Sequence, residues 1–144
     1  MDDTDRLLLD VLRTNARATY AELARTVGLS APAAHERVAK LEAAGVITGY
    51  HAAVAPESLG QSMSALVGVF VTDSADTDHV ADELAALADV EDCWFVAGEE
   101  TFVVKIRVPD VAGLEQAIRT INALPGVSRT RTTVVLSTKF EGRS

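Results

Sequence analysis

Leu8, Val11 and Leu12 recur at helical spacing near the start of the chain and predict an amphipathic helix over roughly residues 3–15, with Asp2 or Asp3 as its N-cap. Thr19 and, three residues on, Glu22 form a capping box ahead of Leu23, Ala24 and Val27, which predicts a short second helix over about 20–26. Gly28 supplies the left-handed stop. Ser30 then caps a third helix with Pro32 in its first turn, and Ala34, Val38 and Leu41 form its buried stripe until Gly45 ends it. Beyond Gly45 the run Val46 to Val54 turns β-like, and the turn formers of Pro56 to Ser62 read as a linker.

The second half repeats itself. At an offset of 37 residues Val67, Val69, Val71, Asp73, Leu84, Leu87 and Val90 fall on Val104, Ile106, Val108, Asp110, Ile121, Leu124 and Val127. Each copy reads strand, helix, strand: Ala65 to Thr72, the Val80–Leu84–Leu87 face and Val90 to Ala97, then Phe102 to Val108, the Leu114–Ala117–Ile118–Ile121 face and Val127 to Leu136. Two such units joined through Gly98-Glu99-Glu100-Thr101 predict a ferredoxin-like βαββαβ domain with both helices on one face of an antiparallel sheet. Val103, Thr130, Thr132, Val134 and Leu136, with Leu66 and Phe70, are expected on the other face, an apolar surface that dimerisation would cover. The fold class is therefore α+β: three helices and a β-linker, then βαββαβ, with boundaries at residues 1–50, 51–62 and 63–144.

Composition narrows the function. The 144 residues carry a net charge of -8, which disfavours indiscriminate coating of nucleic acid or anionic lipid. The charge is unevenly placed: residues 11–50 hold Arg13, Arg17, Arg25, Arg37 and Lys40 against Glu22, Glu36 and Glu42, a balance of +2, whereas 51–144 hold 7 basic and 14 acidic residues. No stretch approaches the ~20 apolar residues of a membrane span and the start lacks a signal pattern, so a cytoplasmic protein without membrane partners is expected. Cys93 alone, with His35, His51 and His79 scattered, predicts no disulfide framework and no metal site. Cys93 reads as a small buried hydrophobe, Trp94 as a core or interface anchor and His79 as solvated.

The spacing from Thr19 through Ala24 and Gly28 to Leu41 is that of a helix-turn-helix. Ser30, Ala31, Ala33, His35, Arg37 and Lys40 lie along or beside the polar face of the third helix and are the candidate DNA contacts, together with Arg17 and Tyr20. A small helical bundle with a solvated face is the alternative.

In these segments the chain resembles the Lrp/AsnC, or feast/famine, family of transcription regulators. The resemblance rests on Asp5-Arg6 with Leu8-Leu9, Asn15-Ala16-Arg17, Glu22-Leu23-Ala24, Val27-Gly28-Leu29-Ser30, Arg37 to Glu42, Gly45-Val46-Ile47 with Gly49-Tyr50, Arg107 to Asp110, Leu124 to Val127 and Thr130-Arg131-Thr132. It implies a winged helix-turn-helix, a β-containing linker and a βαββαβ effector and oligomerisation domain. It also implies a sequence-specific regulator of double-stranded DNA, acting as a homodimer or as a tetramer or octamer, with an amino acid or related metabolite as effector and no cofactor.

In the family a Gly-Asp-aromatic-Asp-Tyr-like turn contributes to an effector pocket. Here Gly98 and Phe102 match its ends, while Glu99, Glu100 and Thr101 replace the residues between. These five and Thr132 are the candidate effector contacts, with a solvated β-turn as the alternative reading. Two other functions compete: a small dimeric enzyme of the monooxygenase or isomerase type, which would not need the first fifty residues, and an architectural DNA-binding protein without an effector. Adjacent Glu99 and Glu100 point apart, so no catalytic pair is expected.

Overall fold

The computed structural model describes residues 1–143; position 144, the end of the expected third segment, lies outside the described residues. The chain divides into two compact units, Met1–Ala53 and Val54–Glu141.

The first unit is three helices, α1 (Asp3–Thr14), α2 (Tyr20–Val27) and α3 (Ala31–Ala43). Side chains written into the sequence start all three: the Asp2 carboxylate accepts from the Asp5 N–H, the Thr19 hydroxyl from Glu22 and the Ser30 hydroxyl from Ala33. Gly28 ends α2 at φ +71. Leu8, Leu23, Ala24, Ala34 and Val38 form one buried cluster, with Val11, Leu12 and Ile47 packed against it.

The expected β-like run is not a strand. Val46 and Ile47 donate back to the Leu41 carbonyl at 3.0 and 3.2 Å, and the Tyr50 hydroxyl donates to Glu42 at 2.8 Å. Burial of that hydroxyl and its bond to Glu42 push the Tyr50 pKa up to about 12. A strand needs a hydrogen-bonded neighbour, and every strand among the described residues lies between Met63 and Val135. The segment therefore folds against α3, no wing strand forms, and a single 3-10 turn, Pro56–Leu59, is the regular element of the linker.

The second unit runs β1 (Met63–Val71), α4 (Thr77–Ala85), β2 (Val90–Phe95), β3 (Phe102–Val108), α5 (Val111–Asn122) and β4 (Val127–Val135). The sheet is antiparallel in the order β2-β3-β1-β4. Ala65, Val67 and Val69 of β1 and the alternate residues Phe102, Val104, Ile106 and Val108 of β3 meet Val80 and Leu84 of α4 and Leu114, Ala117 and Ile121 of α5 in one core. Both helices thus lie on one face. Asp110 caps α5, but its repeat partner Asp73 does not cap α4; Asp76 does, so the first copy carries a longer loop.

The composition of the open face differs from expectation. Thr130, Thr132 and Val134 pair with Val69, Val67 and Ala65 and share their helix-covered side, where Thr130 accepts from the Asn122 amide at 3.1 Å. Leu136 lies beyond the strand. The cause is a bulge: Val71 pairs with Val127 but Phe70 with Arg129, and the extra residue, Ser128, donates its hydroxyl to the Phe70 carbonyl at 3.1 Å. One inserted residue reverses every later side chain. The first copy bulges at the matching place, between Val90 and Asp92, which puts Trp94 beside Val103 on the open face and Cys93 on the helix side. β2 is an edge strand, so Cys93 is exposed there rather than buried.

Candidate nucleic-acid interface and ligand site

On α3 the stripe Ala34, Val38 and Leu41 faces the core, which turns Pro32, Glu36, Ala39 and Lys40 to solvent at 100° per residue. His35 flanks this surface and meets the ring of Tyr20, at the start of α2, with centroids 4.4 Å apart. Lys40 and Glu36 pair at 3.3 Å across one turn. Ala33 is half-buried, and the Ser30 hydroxyl is engaged as a cap. Arg17 and Arg25 are exposed and form no side-chain ion pair among the described residues, leaving both guanidinium groups available to phosphate.

Two expected contacts lie elsewhere. Ala31 packs against the helical core. Arg37 turns toward the start of α1, where its Nη1 donates to Asp2 at 2.8 and 2.9 Å and to Asp5 at 3.2 Å. Its charge is met by two carboxylates within the unit, and the contact ties α3 to the α1 N-terminus. The Arg37 bond, followed by the Asp5 N–H, lowers the Asp2 pKa from 3.8 to about 2. A carboxylate depressed in the fold contributes stability that is fully present above its unfolded pKa and is lost as pH falls through the folded one. Carboxyl-carbon NMR should therefore find Asp2 titrating near 2, with loss of this contribution confined to the window below pH 4; a midpoint at the ordinary value would contradict the pairing.

The second site lies on the open sheet face. Gly68 is opposite Val103 on one side and Arg131 on the other, so the three stand side by side across the sheet. Because Gly68 has no side chain, Glu100 folds over it; a Cβ there would come within 2.6 Å of the Glu100 Cγ. Glu100 pairs with Arg131 and keeps only 13% of its side chain exposed, whereas Glu99, 3.9 Å from the same guanidinium, is 79% exposed. Thr101 closes the turn by donating its N–H to the Val69 carbonyl at 3.0 Å. Gly98 lies near Glu100, whose Oε2 is 3.7 Å from where a Cβ would stand.

The other two expected contacts turn away from this cluster. Phe102 is 3% exposed in the core, and Thr132 is on the helix side, opposite Val67. Arg131 and Gly68 carry no sequence signal for this face: alternation predicts Thr130 and Thr132 outward, and the bulge exchanges them with Arg129 and Arg131. The remaining cations of this face are occupied: Arg129 stacks on Phe70 at 3.8 Å, and Arg107 donates to Glu91 at 2.7 Å, beside Lys105 bound to Glu141. Among the described residues no helix is long and apolar enough to cross a membrane, and no cluster of three His, Cys, Asp or Glu could hold a metal ion.

Comparison with known proteins agrees with both units. The AsnC-type helix-turn-helix domain family matches residues 1–42 and the Lrp/AsnC ligand binding domain family residues 64–144. The HTH-type transcriptional regulator LrpA of Mycobacterium tuberculosis is 39% identical over 143 residues, covering 99% of this chain and 95% of its own. A feast or famine regulatory protein of M. tuberculosis, solved in complex with L-methionine, superposes with a TM-score of 0.93 at 39% identity, over 99% of this chain and 97% of that one. A Neisseria meningitidis transcriptional regulator, also in complex with L-methionine, gives 0.90 at 26% identity, over 98% and 93%. These relatives are regulators rather than enzymes, and the matches span both units, so the chain belongs to the Lrp/AsnC family of DNA-binding transcription regulators.

Proposed function

We propose that this regulator is controlled by a free amino acid held on the open sheet face, at Glu99, Glu100 and Arg131. The observation that carries the reading is the Glu100–Arg131 pair folded over Gly68. An amino acid brings an ammonium and a carboxylate side by side, and a carboxylate beside a guanidinium is their complement. The L-methionine complexes of two structural relatives support a neutral amino acid as the class of ligand. Glu100, seated over Gly68, and Glu99 at the rim receive the ammonium, while Arg131 receives the ligand carboxylate. Trp94 and Val103, on the same face, offer apolar surface to the side chain.

On the DNA side, α3 enters the major groove with Pro32, His35, Glu36 and Ala39 toward the bases, Tyr20 supports His35, and Arg17, Arg25 and Lys40 serve the phosphates. One such module covers only about 600–1,000 Å², so specific binding calls for several in phase with the duplex, and the protein works as a homodimer or larger assembly. Ligand and operator are then linked, because an amino acid that prefers one arrangement of the reading helices changes operator affinity.

Isothermal calorimetry of the twenty amino acids against the full chain tests the ligand site. Saturable binding of L-methionine or another neutral amino acid, lost in Arg131→Ala, is expected; no binding by any of them, or undiminished binding in the variant, would overturn the assignment.

A further inference from the structure

The side of α3 turned to solvent carries few groups able to read a base. Pro32 and Ala39 offer only carbon, His35 lies at one edge against Tyr20, and Arg37 is taken by Asp2 and Asp5. Glu36 stands nearly opposite the buried stripe with 70% of its side chain exposed, and Lys40, 77% exposed, holds its Oε1 at 3.3 Å. A carboxylate is an unusual group to carry into a groove walled by phosphate. It is repelled by the backbone, it only accepts hydrogen bonds, and most base edges there are acceptors too. Guanine presents N7 and O6, and thymine O4 and a methyl; cytosine N4 and adenine N6 alone present donors.

From this we infer that Glu36 is the specificity-determining residue of the reading helix, selecting cytosine in each half-site and excluding guanine and thymine there. The inference rests on the reading that places α3 in the major groove. Lys40 makes the entry tolerable by lowering the local negative charge and by holding the carboxylate along the outer face, one turn before its own ammonium meets the backbone. Discrimination arises largely from the cost of burying an unpaired acceptor opposite the wrong base, a penalty that works against competitors more than it strengthens the correct complex.

Selection from a random duplex library at fixed salt, with the full chain, tests the assignment. The wild type should select a cytosine at one position per half-site, with about tenfold preference over guanine or thymine. Glu36→Gln should move that preference to adenine, since a carboxamide both accepts from N6 and donates to N7. Glu36→Ala should flatten the position to below about threefold and bind random duplex more tightly than the wild type does, because a repulsive charge has gone. An unchanged motif in Glu36→Gln and Glu36→Ala would overturn the inference. If His35→Ala alters the selected motif while the Glu36 variants do not, α3 still reads the groove and only the role of Glu36 falls. If none of the three substitutions alters it, the placement of α3 falls as well.

Discussion

Leu23→Ala is expected to abolish DNA binding by unfolding the helical unit rather than by removing any contact with DNA. Leu23 is fully buried and belongs to a cluster of only five buried residues, of which Ala24 and Ala34 contribute one methyl each. Truncating a buried leucine costs about 2–5 kcal/mol, the lost transfer energy plus the cavity left behind. A unit of some fifty residues buries a small share of its surface and has only a few kcal/mol to lose. The core of the second unit contains none of these residues, so its sheet should persist. Backbone NMR of the variant should show collapsed dispersion for residues of α1 to α3 and preserved shifts for β1 to β4. Retained operator affinity with a native helical unit would show that this core is far more robust than its composition allows.

The second large effect is expected from Gly68→Ala. The position is in a strand and its backbone accepts any residue, so the substitution acts through space: the new Cβ comes within 2.6 Å of the Glu100 Cγ, too close for two carbon atoms. Relief comes at the Glu100 side chain, which is flexible, rather than at the sheet. Glu100 should swing off the face and release Arg131, leaving a guanidinium without its carboxylate beside a site one methyl smaller. Melting temperature should change little, while amino-acid affinity measured by calorimetry should fall at least about tenfold, the equivalent of a single charge-assisted bond. Unaltered affinity would place the ligand elsewhere on the protein.

The sequence and the structure agree most closely where the signals are local. Asp2, Thr19 with Glu22, Ser30 and Gly28 specify the helix ends through contacts three or four residues long, and each is found in place. The repeat at 37 residues likewise predicts the strand–helix–strand succession of each copy, and Val67 with Val104 and Leu84 with Ile121 share one core. What escaped depends on distant partners or on one-residue shifts. Arg37 looks like a groove contact until Asp2, 35 residues away, arrives beside it. Strand alternation carried through from Val127 assigns the wrong face to everything after Ser128, since no residue type announces a bulge. That single residue conceals Arg131, and with it half of the proposed ligand site, while alternation offers Thr132 in its place. The run from Val46 to Val54 has strand composition without a strand partner, and composition alone cannot supply one.

Under the proposed linkage, occupancy of the charge pair on the sheet changes how tightly α3 holds its operator. The most direct test is the affinity of the full chain for its selected duplex, measured at fixed salt while L-methionine and the other amino acids are titrated in turn. A change of about 5- to 150-fold with at least one of them is expected, with the response absent in Gly68→Ala. Identical operator affinity across all twenty, at concentrations up to millimolar, would contradict it.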